Sequence, residues 1–165
     1  MSAQTRYNYS TPIGAAGFIV DLAPHAVDTF LNEEDTGKML FGVGVVQGTD
    51  PGTKIKLPAT GATAATFEGI TTNNHTTEYD MEGNIHIIKG AAVGVMRYGR
   101  IYARVATGVT PAYGDKAYML ISGDEAGYFT NTSGNSAVAI KGRFLGTVDT
   151  VAHIAQIELF NEAQS

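Results

Sequence analysis

Arg100-Ile-Tyr-Ala-Arg-Val-Ala106 decides the fold class. On an extended chain Ile101, Ala103 and Val105 fall on one side, and Arg100, Tyr102 and Arg104 on the other. A period of two is the mark of a strand with one face in a core and the other turned to polar surroundings. Outward from this stretch the pattern repeats. Upstream lie Ala92–Tyr98, Asn84–Lys89 (NIHIIK), Phe67–Thr71, Lys54–Leu57 (KIKL) and Leu40–Gln47, which sets Phe41, Val43 and Val45 on one face. Downstream follow Lys116–Ile121, Tyr128–Asn131, Ala137–Lys141, Phe144–Val148 and His153–Leu159. Gly48–Gly52 (GTDPG) carries turn chemistry, and Ser122–Gly127 and Thr132–Asn135 read as hairpin loops. About ten short strands at such spacing predict an all-β chain, an antiparallel β-barrel or sandwich. One segment predicts a helix instead. In Ala23–Glu34, Val27, Phe30 and Leu31 share a helical face, with Asp21 as a cap and Gly37 as a stop.

The length of 165 residues suits one domain. The first dozen residues show no strand alternation, so the expected division is an N-terminal arm at 1–12 and a single β domain at 13–165. Hydrophobic residues at 44% suffice for a core, but charged residues are only 16%, against a usual value of about 25%. So sparse a charge suggests that part of the surface is spent on contacts. The net charge of −5 argues against a nucleic-acid partner, whose phosphates call for clustered Lys and Arg. With no Cys, the chain is neither a disulfide scaffold nor a thiol enzyme. No run approaches the 18 or so apolar residues of a membrane helix, and the weak apolar run Ile13–Val20, broken by glycines, is a poor secretion signal.

No catalytic constellation emerges. Gly42-Val-Gly-Val-Val-Gln47 falls short of a dinucleotide fingerprint: it lies inside a strand, and Gln47 stands where a third small residue belongs. Its glycines read as a bend or a close backbone contact. His25, His75, His86 and His153 have no helical zinc spacing. Ser122 has no nucleophile elbow, and Asp124 and Glu125, being adjacent, point apart on a strand. Asp80 and Glu82 lie in a polar stretch with no apolar pocket to raise a pKa. No metal and no cofactor are expected. The triplets starting at Asn8, Asn74 and Asn131 match glycosylation acceptors, as an Asn- and Thr-rich chain produces by chance.

Contact residues are easier to nominate. Arg100, Tyr102 and Arg104 put guanidinium groups either side of an aromatic ring, a composition enriched at interface hot spots. In the arm, Tyr7 and Tyr9 with Pro12 offer large contact area at little entropic cost. These six are the candidate interface residues.

In order along the chain, several segments resemble the structural cement, or head-decoration, proteins of tailed bacteriophages. They are Gly17–Leu22 (GFIVDL) after a Pro-containing arm, Met39–Gly48, Lys54–Pro58, Phe67–Ile70 and above all Val93–Tyr118, with Arg97–Val105 (RYGRIYARV) at its centre. Phe129-Thr130, Gly142–Gly146 and Ile154–Leu159 complete the series, while Thr71–Asp80 corresponds least. The resemblance implies a non-enzymatic protein of the virion, assembled in the host cytoplasm onto the capsid exterior. Its partners would be the major capsid protein, whose subunits it bridges, and itself as an oligomer. The low charge and the arm favour a homotrimer, with a dimer possible, and no nucleic-acid or membrane partner is expected. The rival readings are a tail or baseplate adhesin or carbohydrate-binding module, for which a chain without Trp lacks the usual platform, and a small hydrolase, for which no coupled acid and base can be assembled.

Overall fold

The computed structural model describes residues 13–73, 78–79 and 85–163, and among them eleven strands and one 3-10 turn (Ala64–Thr66) make up the regular structure. The strands are β1 (Ala26–Asn32), β2 (Gly44–Gln47), β3 (Lys54–Lys56), β4 (Phe67–Thr71), β5 (Glu78–Tyr79), β6 (Ile85–His86), β7 (Ala92–Arg104), β8 (Lys116–Leu120), β9 (Phe129–Thr130), β10 (Ala137–Phe144) and β11 (Ile154–Leu159). The all-β expectation holds. The expected arm at 1–12 lies outside the described residues.

The organising element is β7, whose 13 residues unite two segments that the sequence pattern separates. Gly99 is the joint. Its φ of 124° is a conformation that side chains resist, and a Cβ there would fall 2.5 Å from that of His25. Before the joint, β7 pairs with β1 on one edge (Val27 opposite Met96) and with β4 on the other (Ile70 opposite Met96). After it, the edge that β1 occupied is taken over by β11, in register from Leu159 opposite Gly99 to Ile154 opposite Arg104.

The first half of β7 closes a barrel. The order β1-β3-β2-β4-β7 returns to β1, so no edge is left open around the ring. Inside it pack Phe30, Met39, Phe41, Val43, Val45, Ile55, Ile87, Val93 and Val95. The second half of β7 begins a second sheet, β7-β11-β10-β8-β9, which curls back on itself: Val105, just past β7, pairs in parallel with Phe129 of β9. Its inner face, including Ile101, Met119, Phe129, Phe144 and Ile157, packs against Val46, Phe67, Ile70 and Met96 on the outside of the first barrel. Ordinary strand alternation sends the consecutive Val45 and Val46 into different cores, and the register shift beside them leaves Glu68 of β4 as the extra residue. Buried polar groups are satisfied: Thr71, fully buried, donates from Oγ1 to the Leu40 carbonyl at 2.8 Å and accepts from the Val43 amide at 3.1 Å.

Four expectations need correction. Ala23–Glu34 is not helical; it contains β1, held between β7 and β3. In it Phe30 and Asn32 are buried while Thr29 and Leu31 are exposed, and two neighbouring strands satisfy a backbone that a helix would have had to satisfy alone. Asp21 is no helix cap: its Oδ1 accepts from the Ala23 amide in a local turn. Thr132–Asn135 is not a hairpin, because β10 pairs with β8 rather than β9, and the segment crosses the end of β8, where Ile121 N–H donates to the Ser136 carbonyl at 2.9 Å. Phe144–Val148 is not a separate strand; Phe144 ends a continuous β10. By contrast, the Ser122–Gly127 hairpin between β8 and β9 and the Gly48–Gly52 turn between β2 and β3 form as read.

Candidate binding surface

The strand that decides the fold also carries the surface. On the second half of β7, Ile101 and Ala103 are fully buried while Arg100, Tyr102 and Arg104 are half-buried on the outer face, as the alternation requires. Each finds a partner within the chain. Arg104 Nε donates to the Phe41 carbonyl at 2.9 Å. Tyr102 Oη accepts from Gln156 Nε2, across the ladder on β11, at 3.1 Å. Arg100 spans two carboxylates, Glu158 on β11 at 3.1 Å and Asp21 at 2.9 Å.

Glu158 is shared. Arg143 on β10 reaches its second oxygen through Nε at 2.8 Å and Nη2 at 2.7 Å. Burial pushes the Glu158 carboxyl up, but the hydrogen bonds from Arg143 and Arg100 outweigh it and hold the group below its ordinary value. The Arg143 guanidinium also lies over two rings, 5.6 Å from the centroid of Tyr113 and 6.0 Å from that of Phe160. Lys116 on β8 stands 6.0 Å from the ring centroid of Tyr118. The outer face of the second sheet is therefore cationic and aromatic.

A lead segment, residues 13–22, borders this face. Gly17 N–H donates to the Tyr102 carbonyl at 2.7 Å and Tyr102 N–H to the Phe18 carbonyl at 2.9 Å, with Val20 N–H to Arg100 O at 3.0 Å. Gly14 lies against the Tyr102 ring so closely that a Cβ would come within 2.7 Å of it. The backbone of the lead is thus bound, yet its apolar side chains are not: Ile13, Phe18, Ile19 and Leu22 are exposed, the last at 97%. Four such residues in ten, beside Val151, form an apolar strip that water does not favour.

Other nominated chemistry does not assemble. Among the described residues no three His, Asp or Glu side chains gather as a metal site. His25 Nδ1 bonds the Ala23 carbonyl, and His153 sits in a left-handed turn at φ 50°. His75, Asp80 and Glu82 lie outside the described residues, as do Tyr7, Tyr9 and Pro12. Glu125 ties the β8–β9 hairpin to Thr107 through a 2.6 Å bond from its hydroxyl. Gly44 is a close-packing glycine, with Met119 Sδ 2.5 Å from where a Cβ would be. A cleft of about 380 Å³ is lined by Phe67, Glu68, Arg97, Tyr98 and Phe160, but its one buried carboxylate, Glu68, is neutralised by Arg97. Sequence reasoning missed Asp21, Tyr113, Arg143 and Glu158, which reach the face across strands. For Glu158 a signal existed, since the alternation in His153–Leu159 puts Gln156 and Glu158 on one side.

Comparison with known proteins adds the context. The family model for the structural cement protein (E217 gp24/Pam3 gp6) matches residues 3–160. A chain in the solved capsid of Myoviridae phage XM1 has the same fold, with a TM-score of 0.76 at 21% identity over 98% of this chain and 99% of that one. No curated protein matches.

Proposed function

We propose a bridging role for this chain, which belongs to the phage structural cement protein family and so has a structural role in the capsid: it links neighbouring major capsid protein subunits on the outer surface of the head. The observation that carries this reading is the lead segment. Its backbone is fixed to β7 while Phe18, Ile19 and Leu22 stay exposed, a rigid apolar strip positioned for a protein partner rather than for a small substrate. The solved relative, itself part of a phage capsid, supports the same reading through its fold. A cement protein works by repetition. Each copy makes modest contacts with two or three neighbours, and closing one contact raises the effective concentration for the next.

Self-association belongs to this reading, with a closed trimer favoured over a dimer. The arm, through Tyr7, Tyr9 and Pro12, orders against a sister subunit or the shell, and Arg100, Tyr102 and Arg104 contribute from the sheet. The test is decoration of undecorated heads by the purified protein, with and without residues 2–11. Binding by the full chain, weakened at least about tenfold by the deletion at unchanged fold, is the expected result. No decoration of heads by the full chain overturns the bridging role, and equal decoration by the truncated chain overturns the role of the arm.

A further inference from the structure

The outer face of the second sheet concentrates positive charge in an acidic chain. Arg100 and Arg104 on β7, Lys141 and Arg143 on β10, and Lys116 on β8 occupy outward positions, five of the chain's 11 Lys and Arg. On the same strands the only outward carboxylate is Glu158, with Asp21 and Glu162 at the borders. The formal net charge of the whole is −5, so the remaining surface is strongly negative.

This face also has a shaped feature. Tyr118 pairs with Ala139 and Lys116 with Arg143, so three residues of β10 stand opposite one of β8. The bulge opens a groove of about 340 Å³ lined by Lys116, Ile140, Lys141, Arg143, Phe160 and Glu162. Beside it Tyr113 is 68% exposed, its ring over the Arg143 guanidinium. Two lysines and a guanidinium thus flank an aromatic and aliphatic floor.

We propose that this groove and the sheet around it dock an acidic segment of the major capsid protein, its carboxylates set against Lys116 and the outer edge of Arg143 and its apolar side chains against Tyr113 and Phe160. The inference rests on the bridging role and names the surface and chemistry that serve it. Charge complementarity favours an acidic polypeptide over nucleic acid. A polyanion would meet the net negative charge of the rest of the chain, and the carboxylates of Glu158 and Glu162 would repel successive phosphates. A short acidic segment of mixed composition avoids both costs, and rim cations such as Lys116 act by steering it in.

The experiment is cosedimentation with undecorated shells of the major capsid protein, using Lys116→Glu, Tyr113→Ala and Lys38→Glu. The last makes the same charge change on the first barrel, where Lys38 pairs with Asp35 at the surface. Circular dichroism and melting confirm each fold, and a salt series on the unmodified chain gives a readout that needs no variant. Expected are a loss of about tenfold or more for Lys116→Glu, a smaller loss for Tyr113→Ala, wild-type binding by Lys38→Glu, and weakening by salt. Wild-type binding by Lys116→Glu and no salt effect overturn the proposal while leaving the bridging role intact. Equal losses for Lys116→Glu and Lys38→Glu overturn it in favour of net charge. Binding of single-stranded DNA that depends on Lys116 overturns it in favour of nucleic acid. A wild-type chain that ignores the shells overturns it together with the bridging role.

Discussion

Arg100 Nη1 donates to Asp21 Oδ2 at 2.9 Å, and this contact latches the lead segment to the centre of the longest strand. The other Asp21 oxygen accepts from the Ala23 amide at 3.0 Å. At the opposite end of the lead, Asp149 accepts from the Ile13 amide at 3.2 Å as well as from Val151 and Ala152. Two carboxylates therefore hold the lead at its two ends.

The sign of its pH dependence follows. Backbone amide bonds hold both carboxyls below the ordinary 3.8, the Ala23 amide first for Asp21 and the Ala152 amide first for Asp149, and Arg100 also lowers Asp21. A depressed folded value means stabilisation that is complete above about pH 4 and lost as pH falls through the lowered values. The lead should keep its protection from proteolysis at pH 5 to 8 (roughly the range above carboxylate titration) and lose it under stronger acid. Asp21→Asn combined with Asp149→Asn should bring faster cleavage within 13–22 at neutral pH, with little change in melting temperature. Unchanged cleavage would show that backbone pairing alone holds the lead.

Gly99 is the joint of β7, and a side chain there is excluded twice, by a φ of 124° and by His25 Cβ at 2.5 Å. Gly99→Ala should cost about 2 kcal/mol or more from backbone strain and displacement of His25. For a chain of this size that lowers the melting temperature by roughly 4–8 °C. A variant that melts with the wild type would mean the joint relaxes freely.

The two cores share β7 and meet where Ile70 and Met96 on the first barrel pack into the second cluster. Phe30→Ala in one and Phe129→Ala in the other should each cost about 3–5 kcal/mol. Calorimetry should nonetheless show one transition for the wild type and both variants, because neither core keeps its wall when the other opens. Two separable transitions would show that the barrel and the second sheet fold independently.

How far the sequence reveals this molecule depends on the range of the interactions. Period-two alternation is local, so both halves of β7 are legible, and so is the outward row Arg100, Tyr102 and Arg104. That the halves are one strand is not, since Gly99 looks like a break until both neighbours are seen to run past it. Ala23–Glu34 misleads because Val27, Phe30 and Leu31 satisfy helical spacing by coincidence, and only pairing with β3 and β7 decides against it. The charged cluster is harder still. Arg100 meets Asp21 across 79 positions and Glu158 across 58, distances at which spacing carries no information. Arg143 lies between the expected strands Ala137–Lys141 and Phe144–Val148, and β10 runs through it to end at Phe144.

The same locality limits metal sites, which distant residues can build. Among the described residues none gathers, so a chelator should leave the melting curve unchanged. A fall of several degrees would reveal a site involving residues outside them.

Glu158 is the hub on which the outer face depends for its order, and its removal separates charge from shape. Gln at this position keeps the size and one acceptor oxygen, but Arg100 and Arg143 lose the negative charge that both now face. Removing one member of a buried pair would cost about 3–5 kcal/mol. Here Glu158 is 18% exposed and both arginines 39%, so water takes up much of the loss. The expected destabilisation is accordingly about 1 kcal/mol, by comparison with exposed and half-exposed pairs. Because the carboxyl sits below its ordinary 4.5 in the folded chain, its contribution is present above about that pH and fades under acid. The wild-type and Glu158→Gln melting temperatures should therefore differ at neutral pH and converge below about pH 4. A difference that persists unchanged into acid would mean that the substitution acts through packing, and that the shared carboxylate contributes no net charge stabilisation.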